Sequence, residues 1–113
     1  MGQGFSLSDE NLNKLYDGTA TKDASKSITQ DGWTITVKNL GPKIVAKYVL
    51  YSMTVMVNGS QVGKPREITL TANRGENDKA NMRNKINREM NKLQDDMSEA
   101  AVNTSSSSTN LKL

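Results

Sequence analysis

The chain has 113 residues, the length of one domain, and its 15 Lys and Arg against 12 Asp and Glu leave a net charge of only +3. Leu, Ile, Val and Phe make up just under a fifth of it, which suffices for a small core and comes without the high net charge that accompanies disorder. It contains neither Cys nor His, which excludes disulfides, thiolate metal sites, thiol nucleophiles and the commonest general base.

Residues 1–31 read as a polar N-terminal arm. Within it, 8–16 suits a short amphipathic helix: Ser8 is a capping residue, Asp9 and Glu10 sit in the first turn, and Leu12, Leu15 and Tyr16 share a face. Residues 17–30 read as loop. Trp33, Ile35 and Val37 alternate with Thr34, Thr36 and Lys38, the period of a half-buried strand. Asn39-Leu40-Gly41-Pro42 is turn chemistry. The run 44–57 is nearly all apolar or β-branched. It predicts a long twisted or bulged strand rather than a buried helix, and leaves open whether that strand is one or two. Asn58-Gly59 is a hairpin signal. Ile68, Leu70 and Ala72 alternate with Thr69 and Thr71 for a further strand, with Pro65 near its start as an edge strand tolerates.

From Glu76 the period changes. Met82, Ile86, Met90, Leu93 and Met97 recur every three or four residues, in a stripe about 100° wide. A helix of roughly 25 residues follows, about 37 Å long. The four-serine run within 103–113 predicts a flexible tail. The expected fold is α+β: a short helix or arm, an antiparallel sheet of three or four strands, and one long amphipathic helix. The expected organisation is an arm at 1–31, a domain at 32–102 and a tail at 103–113.

Residues 33–64 resemble bacterial Ig-like adhesion repeats. The resemblance rests on Ile35-Thr36-Val37-Lys38-Asn39-Leu40-Gly41-Pro42 and, after the long strand, Val57-Asn58-Gly59-Ser60-Gln61-Val62-Gly63. It covers under a third of the chain. The helix after Gly75 departs from such repeats, and no function is carried over.

No catalytic constellation assembles. There is no G-x-S-x-G elbow and no Walker loop, and Gly2-Gln3-Gly4 is too short for a dinucleotide fingerprint. Asp95 and Glu99 lie about 40° apart on the helix beside Asp96, as hard-cation ligands would, but such a charge run reads first as a solvated helix end. The expectation is therefore a non-enzyme with no metal and no cofactor.

Three binding readings remain. The Met-rich stripe is either core against the sheet or, where the helix outruns a small sheet, a self-association seam made of Met82, Ile86, Met90, Leu93 and Met97. Between Lys22 and Lys92, 13 basic residues face six acids. Lys38, Lys43, Lys47, Lys64 and Arg66 from the sheet, with Arg83, Arg88 and Lys92 from the helix, are candidate nucleic-acid contacts. The few aromatics do not interleave with them as a single-strand binder requires. Met1-Gly2-Gln3-Gly4-Phe5-Ser6 fits the acceptor pattern for myristoylation at Gly2, but no polybasic second signal accompanies it. Asn58-Gly59-Ser60 and Asn103-Thr104-Ser105 match glycosylation sequons. No secretory signal and no run of 18 apolar residues is visible, so the expected setting is intracellular, away from membranes. The leading expectation is a structural protein that forms homo-oligomers or meets a protein partner.

Overall fold

The computed structural model describes residues 4–42, 47–71 and 76–109, with the side chains of the last segment described from 77 to 97. The elements in chain order are α1 (Asp9–Gly18), β1 (Ser25–Gln30), β2 (Trp33–Pro42), β3 (Tyr48–Val57), β4 (Ser60–Gln61), β5 (Arg66–Thr71) and α2 (Glu76–Thr109). Every strand pairing is antiparallel. β1 pairs with β2 and β2 with β3, while β4 and β5 share the far side of β3. Both helices pack on one face of this sheet, so the architecture is a two-layer α+β fold.

Local chemistry explains most element boundaries. The Ser8 hydroxyl accepts from the Asn11 backbone N–H at 3.2 Å and caps α1. Ser8→Ala should lower stability by about 1 kcal/mol in a denaturant titration, with the slope of the transition unchanged. Asn58 and Gly59 both have positive φ, 53° and 81°, as a two-residue turn matched to strand twist requires.

Two expectations about the sheet are corrected. Residues 25–30, read as loop, form the edge strand β1. Asp31 and Gly32 make the same kind of turn, with φ of 53° and 85°, and close Gln30 onto Trp33. Periodicity missed this strand because Ile28 is its lone apolar residue. The strand is held instead by its ladder, by Ile28 opposite Ile35, and by hydroxyl pairs from Ser27 to Thr36 (2.6 Å) and Thr29 to Thr34 (3.2 Å).

Asn39-Leu40-Gly41-Pro42, read as a turn, continues β2 through a bulge. Asn39 faces Tyr51 and Gly41 faces Leu50, which leaves Leu40 as the extra residue. Gly41 supplies the positive φ of 102°, and the buried Asn39 side chain accepts from the Gly41 N–H at 2.8 Å while donating to the Thr19 carbonyl at 3.0 Å. Pro42 is tolerated because β1 pairs only as far as Lys38, so β2 is an edge there. β3 is a single strand from Tyr48; residues 44–46 of the expected run lie outside the described residues.

One core joins everything. Ile35, Val37, Tyr51, Met53 and Val55 from the sheet meet Leu12, Leu15 and Tyr16 of α1 and Met82, Ile86, Met90 and Leu93 of α2. Phe5 and Leu7, from the segment expected as a polar arm, are buried in the same core. α2 is longer than expected, and the segment expected as a tail, 103–113, begins within it.

Candidate functional site

The sheet has one face under the helices and one that is bare among the described residues. Strand alternation assigns the bare face to Ser25, Ser27 and Thr29 of β1, Thr34, Thr36 and Lys38 of β2, even-numbered residues 48–56 of β3, and Glu67 and Thr69 of β5. Register sorts them into rows across the strands. One row runs Ser27, Thr36, Thr54. Its neighbour runs Thr29, Thr34, Met56, Gln61. A third runs Ser25, Lys38, Ser52, Glu67.

This face is short of charge. Among the described residues Lys38 and Glu67 are its charged ones, and both lie in one row on either side of Ser52. The charges gather elsewhere: Asp9, Glu10, Lys14 and Asp17 are on α1, and Lys79, Arg83, Lys85, Arg88, Glu89 and Lys92 are on α2. An uncovered antiparallel face alternates to polar residues, charged side chains among them, which keep it in water. Here hydroxyls stand in their place, some bonded to one another across strands, alongside Leu50, Met56 and the exposed Tyr48. A paired hydroxyl costs far less to desolvate than a charge. Interface centres are depleted in charged residues as well.

The Met-rich stripe is placed differently. Met82, Ile86, Met90 and Leu93 are at most 3% exposed and belong to the core of their own chain. The sheet's inner face needs an apolar cover, and α2 supplies it. Met97, one turn beyond Leu93, is 42% exposed.

The candidate nucleic-acid contacts are not gathered into one patch. Lys38 points away from the helices, while Arg88 and Lys92 are exposed on α2. Arg66 pairs with Glu89 at 3.0 Å, Lys92 lies 3.8 Å from Glu89, and Arg83 pairs with Asp9. Lys47 and Lys64 are exposed in loops, and Lys43 lies outside the described residues. So does Gly2. Among the described residues no three acidic side chains converge as a metal site, and no helix is long and apolar enough to cross a membrane.

Side chains that sequence reasoning passed over prove central to the assembly of the fold. Lys85 donates to the Thr69 carbonyl at 2.5 Å and, with Arg66–Glu89, ties β5 to α2. Asn87, Asn91 and Gln30 hold the residues before α1. Polar residues beside an apolar stripe carry no signal of their partners, so none of this was readable from spacing. The chain matches no protein-family model, no curated protein and no solved structure.

Proposed function

We propose that this chain is a non-enzymatic binding and assembly module that self-associates through the bare face of its sheet. The observation that carries the reading is the charge depletion of that face in a chain whose helices are densely charged.

The face is also self-complementary. Lys38 and Glu67 flank Ser52 in one row, so a two-fold axis through Ser52 sets each Lys38 opposite the Glu67 of a second copy. A full grid of four strands at ~4.8 Å and five rows at ~6.8 Å would cover about 650 Å²; the other strands do not fill every row of β3, so the plan area is about 500 Å² per copy. Twice that is at the lower threshold for a specific interface. The association is accordingly weak and concentration-dependent.

Light scattering over a hundredfold range of concentration tests this. The mass should climb from 12.4 kDa towards twice that value. A strict monomer throughout removes the reading.

A further inference from the structure

Asn58 alone among the twelve Asn of the chain is followed by a glycine. Asn58 and Gly59 form the turn between β3 and β4, and both are exposed. The ladder closes through Val57 and Ser60, so the Gly59 N–H lies outside it. Among the described residues, neither that N–H nor the Asn58 side chain has a hydrogen-bond partner. A Cβ built on Gly59 would meet nothing within 4 Å, so no neighbour shields the turn there. Glycine also has no Cβ of its own to crowd its nitrogen.

What holds this turn is slight. β4 has two residues, paired Val57 to Ser60 and Met56 to Gln61, followed by a bond from Val62 N–H to the Val55 carbonyl at 2.8 Å. The Asp31-Gly32 turn has almost the same backbone, but it closes a ladder of six pairs. A short exposed hairpin end opens at lower cost than a long one.

We infer that Asn58-Gly59 is a self-modification site, where the folded chain converts the Asn58 amide into a carboxylate through a cyclic imide. Ring closure turns Asn58 about its Cα–C bond, so the turn opens first. The Gly59 backbone nitrogen gives up its proton to a base in water and attacks Asn58 Cγ. A C–N bond forms there as the Cγ–Nδ2 bond breaks, and the amide nitrogen takes up a proton and leaves as ammonia. Water then opens the imide. Attack at Cγ gives aspartate; attack at the main-chain carbonyl gives isoaspartate, whose backbone runs through Cβ and Cγ. Either product consumes one water and releases one ammonia, with no oxidant or cofactor.

Isoaspartate adds one carbon to a two-residue turn, and the pairing of Val57 with Ser60 is lost with it. Both products set a negative charge at the end of the bare face, next to Met56 and Gln61. The modification itself does not depend on how that face is used.

The full chain and Asn58→Gly are aged at neutral and at mildly alkaline pH, folded and in guanidinium chloride. They are then digested and mapped by mass. Glycine at this position keeps the turn, since Gly-Gly suits the same backbone. The peptide holding Asn58 should gain the mass of an acid over an amide and split into two isomers. Its conversion should outpace that of every other Asn peptide by about tenfold or more, and rise with pH because the attacking nitrogen must lose its proton. The folded chain should convert within about a hundredfold of the unfolded one, which corresponds to a local opening of about 2.7 kcal/mol or less.

An Asn58 that survives while other Asn convert overturns the proposal. A folded rate still further below the unfolded one does the same, because the turn then shields its own amide. An equal acidic shift in aged Asn58→Gly would place the reaction elsewhere and also overturn it.

Discussion

Truncating Met90 to alanine should cost about 2–5 kcal/mol of unfolding free energy, whereas Met97→Ala should stay within about 0.5 kcal/mol of the parent. Both residues belong to one helical stripe and are indistinguishable by spacing. Met90 is fully buried beneath the sheet and its removal leaves a cavity; Met97 is 42% exposed and its removal leaves none. For a chain of this size the first change lowers the melting temperature by roughly 10 °C or more and the second barely moves it. Thermal or urea unfolding of the two variants side by side is the measurement. Equal effects would mean that α2 does not seat on the sheet in this register. A polar residue at Met90, Ile86 or Leu93 would therefore report loss of the fold, and disruption of assembly by such a variant says nothing about an interface.

Reversing a single charge on the bare face should separate associated copies without harming the monomer. Glu67→Lys sets like charges opposite each other twice in the two-fold pair, and unfavourable juxtapositions of this kind cost enough to weaken association at least about tenfold. Within one chain, Lys38 and Glu67 are two strands apart, across Ser52, and Glu67 is exposed. The melting temperature of the variant should therefore stay close to that of the parent, since exposed substitutions of this kind change stability by ~0.5 kcal/mol or less. The informative partner is Lys38→Glu together with Glu67→Lys, which restores the complement with the signs exchanged. Sedimentation or light scattering should show loss in the single variant and recovery in the double. Recovery is the decisive part, because general surface repulsion would not be relieved by the second change. If the single variant associates as the parent does, Lys38 and Glu67 do not face each other between copies.

Much of the fold was legible where local rules act alone. The Ser8 cap, the Asn58-Gly59 turn, the alternation in β2 and β3 and the apolar stripe of α2 are each decided within a few residues. β1 was not legible, since a strand of Ser, Lys, Thr and Gln with one Ile is specified by the neighbour it pairs with. The bulge at Leu40 was hidden for a related reason. Gly and Pro punctuate a strand and end one alike, and only the Asn39 side chain, bonded to Thr19 and to Gly41, decides between them. The bare face was partly readable: the hydroxyl residues were visible as the polar half of each alternation, but their union into one charge-poor surface depends on register across four strands.

By itself the sequence determined the types of α1, β3, β5 and α2, the α+β class and the absence of thiol and imidazole chemistry, because propensity, capping and periodicity are local and composition is global. Tertiary structure decided which apolar stripe is consumed by the core and which surface is left over. Burial is a property of what stands opposite, and a helical stripe looks the same whether it meets its own sheet or another chain. Here the sheet's inner face takes Met82 to Leu93, the segment before α1 is drawn in by three side-chain amides, and the hydroxyl face remains bare.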